Sequence, residues 1–167
     1  MLDRVVAYLR THGVPFRLSS HPSPEPLPAV AHCVPPGGLA VETQVLVVGG
    51  QPAIACLPRG ERLSLPELRH ELRAEVIEGS PADLKPPYSQ AGGQIPPLGG
   101  AMGALTLIDE RLTSASAIVF TAFSPNDCIE LSYDEFARLE RPRVASFTIG
   151  GELPEHAEPQ EPNKKVA

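Results

Sequence analysis

The stretch Gly92-Gly93-Gln94-Ile95-Pro96-Pro97-Leu98-Gly99-Gly100 offers a ligand more backbone than side chain. Glycine admits positive φ and close approach, and the two prolines fix φ and remove two amide donors. Carbonyls nearby are then left to accept hydrogen bonds, which suits a ligand amine. The same composition suits a plain connector between Tyr88 and the apolar run 101–108, and residue types alone leave both readings open. The second candidate constellation is Glu42 with Gln44, two residues apart in a β-branched run and therefore on one strand face with Leu46 and Val48. Val41, Thr43, Val45 and Val47 take the other face. Glu42 and Gln44 either line a pocket or simply face water.

Other chemistries find little support. The five His residues are scattered, there is no ordered Ser/His/Asp set, and neither HxxxH nor CxxC spacing occurs, so no triad, metal or cofactor site is expected. His21 and His32 lie nearest the expected pocket wall and read as ordinary surface or hydrogen-bonded residues. Cys33, Cys56 and Cys128 are odd in number and widely separated, which fits reduced thiols in a cytoplasmic setting, buried as small hydrophobes.

The elements that must position these residues follow from periodicity and turn chemistry. Val5, Val6 and Leu9 mark one face of a helix ending at Gly13, and Val14 to Leu18 reads as a strand. A Pro/Ser-rich loop, 19–28, leads to a brief helix over 29–34, stopped by Pro35-Pro36-Gly37-Gly38. Leu39 to Val48, Gly49-Gly50 and Gln51 to Leu57 form a hairpin. Ser64 to Glu67 and Ser132 to Glu135 match capping boxes, opening helices to about Arg73 and Glu140. Strands are predicted over 74–78, 104–108, 117–120, 128–131 and 144–149, with a short helix at 80–84. Short helices among hairpins favour an α+β domain on a twisted, partly barrel-like mixed sheet with flanking short helices.

The 167 residues fit one domain, 1–151, and a Pro/Glu-rich segment, 152–167, expected to be a disordered tail or a linker toward a further domain. The net charge is −6, of which 152–167 carries −2, so non-specific binding of a phosphate backbone, DNA included, is disfavoured outside a local patch at Arg59, Arg62, Arg69 and Arg73. Trp is absent and aromatics are few, which argues against a single-strand stacking platform. No apolar run approaches membrane-spanning length, and the N-terminus lacks a signal-peptide order.

Taken together, the N-terminal helix with Gly13-Val14-Pro15-Phe16, the hairpin Thr43 to Gly50, the loop Gly93 to Gly99, Leu107-Ile108-Asp109 and the closing Ile129-Glu130-Leu131 and Asp134-Glu135-Phe136 resemble the YbaK/ProX-like aminoacyl-tRNA editing domains. That family is related to the insertion domain of prolyl-tRNA synthetases. The resemblance spans about 2–147, and its most specific carrier is the Gly-x-Ile/Val-x-Pro-Leu/Phe-Gly loop. It implies trans-editing in the service of translation fidelity, by a hydrolase that cleaves the ester joining a wrong amino acid to the 3′ end of tRNA. It implies no metal and no nucleophilic side chain. The aminoacyl group is expected against Gln44 and the loop residues Gly93, Gln94, Ile95, Pro96, Pro97, Leu98 and Gly99. In the family a lysine precedes the Thr-x-Val-Leu run and polarises the substrate. That position is Glu42 here, and a carboxylate can only accept, so Glu42 is expected to bind a substrate ammonium or act on water. The alternative is a domain that senses an amino acid or aminoacyl-tRNA without turnover.

Overall fold

The computed structural model describes residues 1–21 and 33–149. The order is α1 (Leu2–Thr11), β1 (Arg17–Ser20), β2 (Leu39–Val48), β3 (Gln51–Pro58), β4 (Arg62–Leu63), α2 (Leu65–Leu72), β5 (Val76–Glu78), α3 (Gly99–Met102), β6 (Leu105–Asp109), β7 (Ala117–Thr121), β8 (Asp127–Ser132), α4 (Tyr133–Glu140), β9 (Arg143–Ala145) and β10 (Thr148–Ile149). Short 3-10 helices occupy Pro81–Asp83, Tyr88–Gln90 and Glu110–Ser114. The eight-stranded sheet runs β1-β8-β7-β2-β3-β6-β9, with β5 also on β2. Hairpins β2–β3 and β7–β8 are antiparallel, whereas β2–β7, β3–β6 and β6–β9 are parallel. This is an α+β domain on a mixed sheet.

The organising strand is β2. One edge pairs with β3 from Val41↔Pro58 to Val48↔Gln51. The other edge is shared, by β7 at Leu39 and Ala40 and by β5 from Leu46 to Val48. Strand alternation then divides the interior. Val41, Ile54, Cys56, Ile108, Phe120 and Phe136 belong to a first core with Val5 and Leu9 of α1. Leu46, Ala53, Ala55, Leu57, Leu107 and Phe147 belong to a second, closed by Leu68 and Leu72 of α2.

Both serine caps form on one side only. Ser64 Oγ accepts from the Glu67 amide at 3.3 Å, but the Ser64 amide is taken by the Phe147 carbonyl at 2.7 Å, so the Glu67 carboxylate has no cap amide to reach back to. Ser132 Oγ accepts from the Glu135 amide at 3.2 Å, while the Glu135 carboxylate turns to Arg138. Two strand expectations need correction. The first strand starts later, at Arg17, because residues 17–20 are the ones that pair with β8. The expected strand 144–149 is two strands, β9 on β6 and β10 on β4. Buried Asp109 explains the break. Its Oδ2 accepts from the Phe147 and Thr148 amides and from the Thr148 hydroxyl, each at 3.0 Å, which diverts the backbone from the β6 ladder. Of the expected helix 29–34, residues 29–32 lie outside the described residues, and Cys33 and Val34 are irregular. His32 and the segment 152–167 likewise lie outside them.

Candidate functional site

The loop 92–100 packs on the odd-numbered face of β2. Thr43 Oγ1 donates to the Ile95 carbonyl at 2.5 Å, and Ile95 and Leu98 join Val41 in the first core, with Val45 packed against it. Gly92, Gly93 and Gln94 are exposed at one end and Gly100, whose amide is taken by Glu140, at the other, while residues 95–99 are buried. Three of the carbonyls expected to be free are engaged within the chain. The Gln94 carbonyl accepts from the Phe123 amide at 2.8 Å, the Ile95 carbonyl accepts from Thr43, and the Pro96 carbonyl accepts from the Leu98 amide at 2.8 Å in a tight turn around Pro97. What the loop offers a ligand is therefore its 92–94 rim.

The loop glycines answer to the protein itself. Gly93 has φ +85°, and a Cβ there would stand 2.6 Å from the Phe123 carbonyl oxygen. A Cβ on Gly99 would stand 2.5 Å from Thr106 Oγ1 and 2.7 Å from the Ala104 carbonyl oxygen. Gly92 has open space around it. Phe123, itself at φ 61°, stacks on Tyr88 with centroids 6.0 Å apart, so an aromatic pair adjoins Gly93.

Glu42 and Gln44 lie on the opposite face. The Glu42 carboxylate pairs with Arg59 Nε at 3.4 Å and accepts from the Gly60 amide at 3.5 Å, in a half-exposed setting. Gln44 is exposed and lines an open cleft of about 510 Å³ with Ser64, Glu78 and Ile149. The sheet thus separates Glu42 and Gln44 from the loop residues, and Thr43 is the β2 residue joined to the loop. Among the arginines of the expected basic patch, Arg59 is engaged by Glu42, and Arg69 Nε donates to the Val76 carbonyl at 2.9 Å.

A carboxylate that sequence reasoning missed holds the loop's far end. Glu140, the last residue of α4, accepts from Tyr8 OH, Thr106 Oγ1 and the Gly100 amide, each at 2.9 Å, while the Gly99 amide donates to Thr106 Oγ1 at 3.1 Å. Burial first, then the Glu140 charge and hydrogen bond, push the Tyr8 hydroxyl up. Its place forty residues beyond the loop gave no local signal. Among the described residues, no cluster of three or more His, Cys, Asp or Glu could hold a metal, and no helix is long and apolar enough to cross a membrane.

No family model and no curated protein matches the chain. Solved structures do. A candidate trans-editing enzyme for prolyl tRNA synthetase aligns over 89% of this chain and 96% of its own at 20% identity, with a TM-score of 0.70. A hypothetical protein aligns over 87% and 99% at 18% identity, with a TM-score of 0.68. A candidate signal transduction protein from Marinobacter aquaeolei VT8 aligns over 88% of this chain but 30% of its own, at 14% identity and a TM-score of 0.67. At these identities the likeness defines the fold, which is YbaK-like.

Proposed function

We propose that the protein is an aminoacyl-tRNA deacylase whose pocket lies between the 92–94 rim and the Thr43 side of β2. The observation that carries this reading is the Thr43 to Ile95 hydrogen bond, which joins the glycine/proline loop to the hairpin strand in a fold shared with a candidate trans-editing enzyme. In the reaction, water adds to the acyl carbon, the tetrahedral intermediate expels the ribose oxygen, and that oxygen takes a proton. The chain's contribution is positioning. Exposed backbone at Gly93 and Gln94 approaches the acyl group, the Thr43 oxygen has lone pairs for a substrate ammonium, and the Tyr88–Phe123 stack bounds the amino-acid side chain. Glu42, on the other face and paired with Arg59, takes no part in this arrangement.

The test is deacylation of tRNAs mischarged with small amino acids. Thr43→Val should lower the rate at least about tenfold, in line with the loss of a positioning contact. Glu42→Lys should leave it within about twofold, because it alters only a surface ion pair. Thr43→Lys loses the same contact but places an ammonium on the loop face, and should be faster than Thr43→Val.

One observation favours a second reading, a non-catalytic domain that binds an amino acid or aminoacyl-tRNA. β2 contains no Lys or Arg, and the Thr43 proton is already committed to Ile95, so the loop-facing side chains of β2 supply no free donor to a developing oxyanion. Saturable amino-acid binding without turnover on any mischarged tRNA, in the parent and in Thr43→Lys alike, would select it.

A further inference from the structure

We infer that Cys33 and Cys128, with His21 beside them, form a peroxide-reactive dithiol that closes to a disulfide. Cys128 belongs to β8 and faces away from the first core. With Val119 it makes a small buried cluster against which Cys33 and Ala40 pack. Cys33 thus packs against the cluster that holds Cys128, and its thiol is one of the groups that raise the Cys128 thiol. His21 Nε2 lies 3.1 Å from Cys33 Sγ, and the His21 amide is fixed to the Asn126 carbonyl at 2.9 Å, just before β8. A half-buried thiol, a ring nitrogen and a second thiol therefore stand in contact, drawn from three separate parts of the chain.

Their environments assign the order of events. Burial first, then Cys33 and the Asp127 charge, push the Cys128 thiol up to about 12, which keeps it protonated and out of the first step. Cys33, reachable from solvent and beside the imidazole, acts first. His21 Nε2 takes the Cys33 proton, and the sulfur attacks a hydroperoxide oxygen. The S–O bond forms as the O–O bond breaks, and the leaving oxygen departs as alcohol or water after taking that proton. Cys128 sulfur then attacks the sulfenic sulfur, the S–S bond forms, and hydroxide leaves with the Cys128 proton as a second water. Two thiols are oxidised by two electrons and one peroxide is reduced. Cys56 is the internal control, because it is fully buried in the first core.

The test uses the full chain treated with a few equivalents of hydrogen peroxide, followed by alkylation and peptide mapping. One intramolecular cross-link between the Cys33 and Cys128 peptides is expected, with Cys56 alkylated only after denaturation. In competition with glutathione, Cys33 should be consumed at least about tenfold faster, and His21→Ala should remove most of that advantage, as loss of a positioned base predicts. In Cys128→Ser, Cys33 should be captured by dimedone as the sulfenic acid. A cross-link involving Cys56, or a Cys33 rate no faster than that of glutathione, would overturn the inference. Both readouts come from the unsubstituted protein, so a variant that fails to fold does not remove the test.

Discussion

Gly92 and Gly93 stand side by side under different constraints, and the difference is measurable. Gly93 combines positive φ with a Cβ position 2.6 Å from backbone oxygen, whereas a Cβ on Gly92 meets nothing within 4 Å. Gly93→Ala should therefore cost at least about 2 kcal/mol from backbone strain and overpacking together, while Gly92→Ala should stay within about 0.5 kcal/mol. Thermal melts of the two variants check this, and equal effects would mean that the loop relaxes freely around residue 93. The same pair shows what residue types conveyed. Glycine at 93 read as space for a ligand, but its nearest claimant is Phe123, thirty residues away in sequence and invisible to local reasoning. Thr43 teaches the same lesson. Period-2 alternation correctly separated it from Glu42 and Gln44, yet alternation names two faces without saying which one a distant loop will cover.

Between elements, the Glu140 carboxylate ties α1, α3, β6 and α4 together through Tyr8, Gly100 and Thr106. Tyr8 gives this clamp a pH signature. Its hydroxyl is raised from an ordinary value of 10.0, so above that pH the unfolded chain loses the proton first, and stability present below it drains away as pH rises. Tyr8→Phe should lower stability at neutral pH by about 1 kcal/mol, the worth of one hydrogen bond to a charged group less repacking. It should also flatten the alkaline fall. The buried Cys56 and Cys128 thiols, raised from 9.0, leave a residual slope of the same sign. Urea titrations at pH 8 and pH 11 separate the two contributions, and an unchanged alkaline slope in Tyr8→Phe would show that the hydroxyl ionises in the folded state without penalty. Element existence was widely legible because hairpin, cap and helix signals are local: Gly49-Gly50, Ser64 and Ser132 each do what their chemistry directs. The interruption between β9 and β10 was not legible, since it depends on where Asp109 sits in the folded sheet.

For the molecule as a whole, β2 and β3 send alternate side chains into two cores, so the cores share one pair of backbones. Leu46, Ala53, Ala55 and Leu57 serve the second core, and Val41, Ile54 and Cys56 serve the first. The parallel pairings that flank this hairpin, β2 with β7 and β3 with β6, join strands far apart in sequence, which is why strand order escaped a local reading while the hairpin itself did not. Sharing implies cooperativity, because a helix or loop can leave one face but the central strands cannot part on one face alone. Leu46→Ala, a large-to-small change at a side chain that is 0% exposed, should destabilise by about 2–5 kcal/mol. If the two cores open as one unit, Cys56 on the far side should be labelled by a thiol reagent about 30-fold faster or more in that variant, in step with the loss of global stability. Peptide mapping isolates Cys56 from the other thiols, and circular dichroism reports the global transition. A Cys56 labelling rate left at its parental value, alongside a lowered melting temperature, would show that the two cores open independently and that the hairpin hinges rather than unzips.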